Sequence, residues 1–307
     1  MKNRYYDLNT YFKTIFGHRV HKIALDAGLS CPNRDGTLSR GGCIYCNARG
    51  SGTGLYQKGQ SITEQIETAK AFLAKRYKAK EFIAYFQSFT NTYAPLPRLR
   101  QLYDEALSAA DVAGLSIGTR PDCVDEDILS LLESYGKTRL IWIEYGLQSA
   151  HDRTLARINR GHDFKAFEKA VQMTRNRGLR ICAHVILGLP GETREDMLET
   201  ARIVSGMGLD GIKFHVLYVV RGTPLEAMYR RRDYQCLTQE AYVDILCTFL
   251  ALLPETMVIQ RLTGDPHPDE LVAPAWTLNK RETRERIHRT LEEKDLYQGK
   301  FFKPAGF

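Results

Sequence analysis

The stretch CPNRDGTLSRGGCIYC, from Cys31 to Cys46, holds three cysteines, with eleven residues between Cys31 and Cys43 and two between Cys43 and Cys46. Three glycines and a proline lie between them, which is typical of a loop. A structural zinc site closes its tetrahedron with four protein ligands, and this stretch offers three. An iron–sulfur cluster takes one thiolate per iron, so three cysteines would leave one iron open for an outside ligand. The loop predicts a metal centre with an open position and, taken alone, leaves zinc as an alternative.

The composition of the 307-residue chain is that of an ordinary globular protein, with 43% apolar and 26% charged residues. Its longest apolar run, residues 245–253, is shorter than a membrane span and predicts a buried helix. The first residues contain no apolar segment of the signal-peptide kind, so we expect a cytoplasmic protein with no membrane attachment. Seven cysteines is an odd number, which argues against a disulfide framework. The four outside the loop are interpreted as buried thiols, namely Cys123, Cys182, Cys236 and Cys247.

The net charge of +7 and the isoelectric point near 9 fit a polyanionic partner such as nucleic acid, and equally a simply basic protein. Basic residues crowd the N-terminus, a run at 230–232 and a late helix. They include Lys2, Arg4, Lys13, Arg19, Lys22, Lys280, Arg281, Arg284, Arg286 and Arg289. The late helix also carries glutamates, so a salt-bridged solvent face remains an alternative to a nucleic-acid contact there.

Apolar strand-like runs alternate with amphipathic segments along most of the chain. Strands are predicted at residues 21–26, 81–87, 114–119, 139–146, 180–187 and 211–219. Helices are predicted at residues 8–16, 61–78, 96–110, 125–135, 164–177 and 193–207, with capping boxes at Ser61 and Thr193. Apolar strands separated by helices indicate parallel pairing with the helices outside. Six such units predict an α/β fold, a partial (β/α)6 barrel, because a full barrel needs eight.

Three parts are expected along the chain. A basic and aromatic segment occupies residues 1–20, the partial barrel residues 21–235, and a small C-terminal extension residues 236–307. In the extension we expect a buried helix at 238–253, a seventh, edge strand at 256–262, a proline-rich loop at 264–274 and a charged helix at 279–294. The tail should pack back on the body through its phenylalanines, Phe301, Phe302 and Phe307.

Ligands of parallel α/β sheets bind at the carboxyl ends of the strands, so the residues there are the candidates for function. The first strand leads into the cysteine loop, and every later strand ends in polar or glycine-rich residues. In chain order these include Ser88, Thr90, Arg120, Gln148, His184, Gly188, Gly191, Lys213, His215, Tyr218 and Arg221. Six polar strand ends in register indicate one active site around the cysteine loop.

Several strings of the sequence together resemble those of radical S-adenosylmethionine (SAM) enzymes. They are CPNRDG with GGCIYC in the cysteine loop, GLQS at 146–149, INRGH at 158–162 and GLPGET at 188–193. The subgroup is similar to the elongator catalytic subunit and the oxygen-independent coproporphyrinogen oxidases and, within it, to the YhcC-like bacterial family. Two departures stand out: the eleven-residue first cysteine spacing, and Ser88-Phe-Thr-Asn at the place of a Gly-Gly-Glu at the second strand end.

The resemblance implies a [4Fe-4S] cluster on Cys31, Cys43 and Cys46, with SAM bound at the open iron. An electron from a donor such as flavodoxin or ferredoxin would cleave SAM to a 5′-deoxyadenosyl radical, which abstracts a hydrogen atom from substrate. The implied SAM contacts are Tyr45, Ser88, Thr90, Ser116, Arg120, Gln148, Arg160, His184, Gly188 and Gly191. The implied substrate contacts at the barrel mouth are Lys213, His215, Tyr218 and Arg221. Trp276 and Lys280 would contact a nucleotide, unless Trp276 anchors the C-terminal extension.

Three functions remain open from the sequence. The first is a radical SAM enzyme that modifies transfer RNA, because the elongator-like relatives act on the wobble uridine. The second is a radical SAM enzyme for a small metabolite or a cofactor precursor. The third is a zinc-stabilised RNA-binding protein without catalysis.

Overall fold

A computed structural model describes residues 3–47, 50, 55–77, 79–87 and 89–304 of the chain. Within these ranges, a seven-stranded parallel sheet curls into a partial barrel in the order β1-β2-β3-β4-β5-β6-β8, and β7 pairs with β9 in a separate ribbon. The strands are β1 Val20–Leu25, β2 Glu81–Phe86, β3 Val112–Thr119, β4 Leu140–Gln148, β5 Arg180–Leu187, β6 Gly211–Val216, β7 Val219–Val220, β8 Val258–Arg261 and β9 Leu271–Ala273. The predicted partial barrel is confirmed, and the predicted seventh strand is β8, which pairs in parallel with β6 at the sheet edge.

Helices follow the strands and cover the outside of the sheet. They are α1 Leu8–Phe16, α2 Ile62–Tyr77, α3 Leu96–Ser108, α4 Glu126–Gly136, α5 Asp152–Arg157, α6 Phe164–Thr174, α7 Arg194–Ser205, α8 Pro224–Arg230, α9 Gln239–Leu252 and α10 Lys280–Glu293. Both predicted capping boxes are present. The Glu64 amide donates to Ser61 Oγ at 3.2 Å and the Ser61 amide donates to the Glu64 carboxylate at 2.8 Å. Thr193 and Asp196 make the same reciprocal pair at the start of α7.

The two faces of the sheet differ in chemistry because successive side chains of a strand point to opposite sides. The outer face is apolar and packs on the helices, as Ile23, Leu115 and Ile143 do. The concave face carries polar residues at the alternate positions of the same strands. Lys22, Ser116 and Glu144 meet there through hydrogen bonds across the barrel. The fold therefore encloses a polar interior, in which ionisable groups depend on one another.

Helix α1 closes the barrel at the amino ends of the strands. Tyr11 and Phe12 on α1 are buried against Trp142, Ile83 and Val258, and the Tyr11 and Trp142 rings meet edge to face with centroids 5.4 Å apart. Gly17 ends the helix in the left-handed conformation at φ 75°, as its position in the sequence predicts. Access to the interior is left at the carboxyl ends of the strands.

The edge strand β8 is held by segments distant in sequence. The Ile259 amide donates to the Tyr6 carbonyl at 2.8 Å, extending the sheet by one parallel bridge at Asp7. The Tyr6 amide in turn donates to Gln298 Oε1 at 2.9 Å, and Gln298 Nε2 donates to the Met257 carbonyl at 2.7 Å. The exposed edge of the partial barrel is thereby covered.

The structure corrects three details of the predicted elements. The sixth strand ends at Val216, and Val219–Val220 turns away to pair with Leu271–Ala273, which lies inside the segment predicted to be loop. Helices α5 and α8 were not predicted, because both are too short to show a helical repeat. In the tail, the Phe301 amide donates to the Ala251 carbonyl although its ring is 46% exposed. Lys2 and Phe307 lie outside the described residues.

The described helices include none with both the length and the apolar character that crossing a bilayer requires.

Candidate active site at the carboxyl ends of the strands

The cysteine loop brings its three sulfurs to one cavity. Cys31 and Cys43 are 8% and 6% exposed, Cys46 is half-buried, and all three are free thiols that line a space of about 140 Å³. Burial and the neighbouring Cys43 raise the pKa of Cys46 to about 11. Three thiols that line one cavity are the donor set of an iron–sulfur cluster with an open iron. The residues present therefore fit such a cluster.

The segment after α5 braces this loop. Asn159 Nδ2 donates to the Gly42 carbonyl at 2.7 Å, and Asn33 Nδ2 donates to the Asn159 carbonyl at 2.6 Å. Asn159 and Gly161 both have positive φ, 51° and 76°, and a Cβ at Gly161 would lie 2.7 Å from Asn33 Oδ1. The INRGH string thus holds the backbone that presents the cysteines.

Replacing Asn159 with alanine should weaken this brace. The variant loses the bond to Gly42 and puts alanine at a left-handed position that asparagine tolerates better, together costing about 1–3 kcal/mol. We expect lower iron and sulfide content per chain after anaerobic reconstitution and faster loss of iron to a chelator. Asn176→Ala is the matched control, because Asn176 is an exposed residue with φ 63° after α6. Equal iron retention by the two variants would refute the bracing role.

Arg160 lies buried directly behind Cys43. Its Nη1 is 3.6 Å from Cys43 Sγ, and its Nη2 donates to the Gly146 carbonyl at 2.7 Å. Arg120 lies behind Arg160: its Nη1 donates to the Arg160 carbonyl at 2.7 Å, and its other nitrogens pair with the Asp122 carboxylate. Both predicted SAM contacts line the cysteine cavity, but Arg120 is engaged in holding Arg160.

Gln148 stands at a β-bulge where β4 leaves its register with β5, and it has a φ of 77°. A non-glycine residue in this conformation is uncommon, and bulges re-aim side chains next to functional sites. The turn is fixed from behind, since Ser149 Oγ donates to Glu192 Oε1 at 2.5 Å. This bond links Ser149 of the GLQS string to Glu192 of the GLPGET string. The second string therefore helps to fix the turn that carries Gln148.

The cavity contains polar groups that the protein leaves unpaired. Thr90 Oγ1 is buried without a hydrogen-bond partner. Within the described ranges, the side-chain amides of Gln87 and Gln148 also make no hydrogen bond, and all three residues line the cavity. The buried Thr90 hydroxyl and the two half-buried amides fit a polar ligand such as SAM, because burial without a partner costs free energy. Ser88, the other predicted contact at this strand end, lies outside the described residues.

A buried carboxylate organises the interior below the cavity. Glu144 is fully buried; it contacts Lys22 and Ser116, receives Lys213 Nζ at 3.0 Å and lies 2.7 Å from His184 Nε2. Burial acts to raise the pKa of Glu144. The charges of Lys213 and Lys22 outweigh burial and hold this pKa well below its ordinary value. Burial and then Lys213 lower the pKa of His184 to about 4, so the imidazole is neutral at physiological pH. Ser116, a predicted SAM contact, belongs to this network.

A second, larger cleft of about 700 Å³ adjoins the cysteine cavity. Tyr45, Cys46, Gln148 and His184 line both spaces. The other walls come from β6, β8 and the loop before β9, including His215, Tyr218, Arg261, Asp265 and His267. A volume of this size is within the usual range for small-molecule sites.

Not every predicted residue lines the cleft. His215 and Tyr218 do, Lys213 is buried beneath it against Tyr85, and Arg221 is exposed and outside its lining. Gly188 and Gly191 also lie outside the lining, and Gly188 faces Leu237. Arg261 and Lys58 line the cleft but were missed. The carboxyl end of the predicted seventh strand was the signal for Arg261.

The C-terminal aromatic anchor is structural. Trp276 Nε1 donates to the Leu237 carbonyl at 3.1 Å, and its ring packs on Tyr242 with centroids 5.4 Å apart. Lys280 forms an ion pair with Asp265 of the cleft loop. The two residues thus fix the extension and the cleft loop, which was the alternative interpretation of Trp276.

Comparison with known families gives two matches that together cover most of the chain. The family described as "Radical SAM superfamily" matches residues 36–204, and the one described as "Radical SAM C-terminal domain" matches residues 209–293. The first match alone spans more than half of the chain and contains Cys43, Cys46, Gln148 and Arg160.

Individual relatives were also found, two of which match this chain over most of its length. The protein YtqA of Bacillus subtilis (strain 168) is 41% identical over 302 residues, covering 98% of this chain and 94% of YtqA. The protein YhcC of Escherichia coli (strain K12) is 40% identical over 279 residues, covering 91% and 89%. Elongator complex protein 3 of Schizosaccharomyces pombe is 32% identical over 162 residues, which are 52% of this chain and 29% of that protein.

Among solved structures, the archaeal Methanocaldococcus infernus Elp3 shares the fold with a TM-score of 0.67 at 18% identity. The alignment covers 91% of this chain and 64% of that one. The elongator proteins are therefore longer than the part this chain matches.

Proposed function

Because this chain belongs to the radical SAM superfamily, we propose that it modifies transfer RNA, at the side chain of a wobble uridine. The chain is an enzyme of the radical SAM class, which uses a [4Fe-4S] cluster and SAM. When bound, these groups supply a 5′-deoxyadenosyl radical for abstraction of a hydrogen atom from the substrate. The transfer-RNA substrate and the residue roles below are the proposal.

Each group at the site has a proposed task. Cys31, Cys43 and Cys46 hold the cluster, and Arg160 compensates the negative charge gathered at Cys43. Thr90 and Gln148 offer unpaired polar atoms to SAM. Tyr45 adds an aromatic surface where the two spaces meet, which suits the adenine.

His184 has a defined hydrogen-bonding role in this proposal. Its Nε2 lies 2.7 Å from the Glu144 carboxylate, so Nε2 carries the proton and Nδ1 remains an acceptor. The neutral ring is therefore suited to accept a hydrogen bond from a ribose hydroxyl, which a protonated ring is not. The buried Glu144 fixes this tautomer, as carboxylates do for functional histidines.

The observation that carries the transfer-RNA proposal is the nucleoside-sized cleft beside the cysteine loop, in a chain that resembles the elongator catalytic subunit. The net charge of +7 favours a polyanion. On α10 the charge is partly neutralised, because Arg286 pairs with Glu282 and Glu240. Arg284 and Arg289 on the same helix are exposed.

One observation favours a small-molecule substrate as the second candidate. The segment before β9 lines the cleft with Asp265, Pro266, His267 and Pro268, and Lys280 pairs with Asp265. A loop held across the cleft favours a compact substrate over a nucleotide within a folded RNA. An unfolded anticodon loop, whose bases can be splayed out, is part of an RNA and also presents a single compact nucleotide to the cleft.

Mass spectrometry of transfer-RNA nucleosides tests the proposal. A strain lacking this chain should lose, or accumulate a precursor of, one modified wobble nucleoside. Plasmid-borne wild-type chain should restore the nucleoside, and the Cys43→Ala variant should not. An unchanged nucleoside profile in the deletion strain, under conditions where the wild type makes the protein, would reject transfer RNA as the substrate. It would favour the hypothesis of a small-molecule substrate.

A further inference from the structure

Arg261 is a cation in the substrate cleft that has no counter-ion among the described residues. It ends β8, is half-buried and lines the cleft together with Tyr45 and Cys46 of the cysteine loop. Within the part of the chain that the structure describes, its guanidinium has neither a carboxylate at ion-pair distance nor a hydrogen-bond acceptor. A guanidinium presents five donors in a fixed fork that matches phosphate and carboxylate groups. Arg261 thus offers an unused anion-binding fork to the cleft.

The charges around Arg261 leave the barrel interior positive. Lys22, Lys213 and Arg261 come from the concave face of β1, β6 and β8, and Glu144 is the carboxylate among them. Glu144 already pairs with both lysines. Burial lowers the pKa of Lys213 to about 7. The charge of Glu144 opposes this shift, whereas the charges of Arg261 and Lys22 add to it. An anion next to Arg261 would relieve this excess.

Two further groups on the same wall await a partner. His215 Nε2 is buried without a hydrogen-bond partner, and the Tyr218 hydroxyl makes no hydrogen bond within the described ranges. Both line the cleft with Arg261. Burial and the adjacent His184, whose ring centroid is 5.2 Å away, lower the pKa of His215 well below its ordinary value. His215 is therefore a neutral imidazole that can donate from Nε2.

The carboxylates at the rim of the cleft are engaged elsewhere. Asp265 pairs with Lys280, and Glu270 accepts a hydrogen bond from Asn47 Nδ2 at 2.8 Å. Neither lies within ion-pair distance of Arg261. Among the described residues, the rim carboxylates therefore have partners of their own, whereas Arg261 has no counter-ion.

We propose that Arg261, His215 and Tyr218 form a phosphate site that holds the substrate by the phosphate next to the reacting nucleoside. Phosphate fits better than carboxylate, because a guanidinium fork engages both oxygens of a planar carboxylate, whereas a tetrahedral phosphate keeps further oxygens, pointing in other directions, for the imidazole and the hydroxyl. The site lines the same cleft as Tyr45 and Cys46 of the cysteine loop, so the nucleoside attached to this phosphate lies in the cleft beside that loop. The nucleotide identity of the substrate rests on the proposed function; the anion site does not.

Binding to the reconstituted holoenzyme with SAM tests the site. Equilibrium dialysis measures uridine 5′-monophosphate and uridine, and phosphorus NMR titration measures inorganic phosphate. We expect Arg261→Gln to weaken binding of the monophosphate and of inorganic phosphate by about 10- to 100-fold, and binding of uridine by less than about threefold. Arg139→Gln is the matched control, because Arg139 is exposed and precedes β4 at the opposite end of the sheet. It should change each constant by less than about twofold.

The outcomes separate the two proposals. Equal weakening of uridine and its monophosphate by Arg261→Gln, or no effect on either phosphate probe, overturns the phosphate site. Binding of acetate in preference to inorganic phosphate by the wild type overturns the choice of phosphate over carboxylate. Arg261-dependent binding of inorganic phosphate together with an unchanged transfer-RNA profile in the deletion strain leaves the anion site standing and rejects the transfer-RNA substrate.

Discussion

Replacing Cys43 with alanine should reduce the formation of 5′-deoxyadenosine from SAM to the level seen without enzyme. Each iron of the cluster takes one thiolate, so two cysteines cannot hold the three-cysteine site. Cys43 is also the sulfur that Arg160 and Asn33 approach, at 3.6 and 3.7 Å. The measurement is anaerobic incubation with dithionite and SAM, followed by chromatography of the nucleosides. The fold should persist by circular dichroism, because the residue lies in a loop.

The matched control for this variant is Cys247→Ala. Cys247 is a fully buried thiol on α9, near the Ile287 carbonyl and away from the cysteine cavity. It should retain iron, sulfide and SAM cleavage. Continued 5′-deoxyadenosine production by Cys43→Ala would remove Cys43 from the cluster. One zinc per wild-type chain, with neither iron nor acid-labile sulfide after anaerobic purification, would reject the assignment of all three cysteines.

Replacing Glu144 with glutamine should cost about 3–5 kcal/mol of unfolding free energy, because it removes the carboxylate partner of two lysines in the barrel interior. Glu144 is fully buried, Lys213 is buried beside it and Lys22 is nearly so. Urea unfolding of the metal-free chain, followed by circular dichroism, measures the change. The control Glu195→Gln removes an exposed carboxylate that pairs with Arg202 at 2.7 Å, and it should cost less than about 1 kcal/mol.

A second substitution makes the interpretation specific. In the Glu144→Gln background, Lys213→Met removes one of the two lysines that have lost their carboxylate partner. Part of the lost unfolding free energy should therefore return. If the double variant is less stable than Glu144→Gln by the full cost of Lys213→Met alone, the two residues are independent and the buried network is not the cause. Equal unfolding midpoints for Glu144→Gln and Glu195→Gln would also show that the buried network is not the cause of the stability loss.

Local sequence signals predicted most of the fold correctly. The fifth strand, Arg180–Leu187, was placed to the residue, because an apolar run stands between a glycine before it and the Gly188 turn after it. The caps at Ser61 and Thr193 followed from residues three apart. Such signals are complete within a few residues and need no knowledge of the rest of the chain.

Apart from the short helices α5 and α8, the missed features depend on partners far away in sequence. Pairing of Leu271–Ala273 with Val219–Val220 joins segments about fifty residues apart, and proline-rich neighbours conceal it. The charge network of Glu144 joins β1, β4 and β6, so it becomes visible only when the barrel brings these strands together. Arg261 was passed over for the same reason: its place beside Lys213 is set by the β6–β8 register.

The bond between the Tyr6 amide and Gln298 Oε1 has a consequence for biosynthesis. The two residues are 292 positions apart, and Gln298 also holds Met257 just before β8. During translation, β8 and the Arg261 wall therefore cannot be fully fastened until Gln298 has left the ribosome. The cysteine loop and its brace need no residue beyond Asn159. A nascent chain can thus form its cluster-binding loop well before it can form its substrate wall.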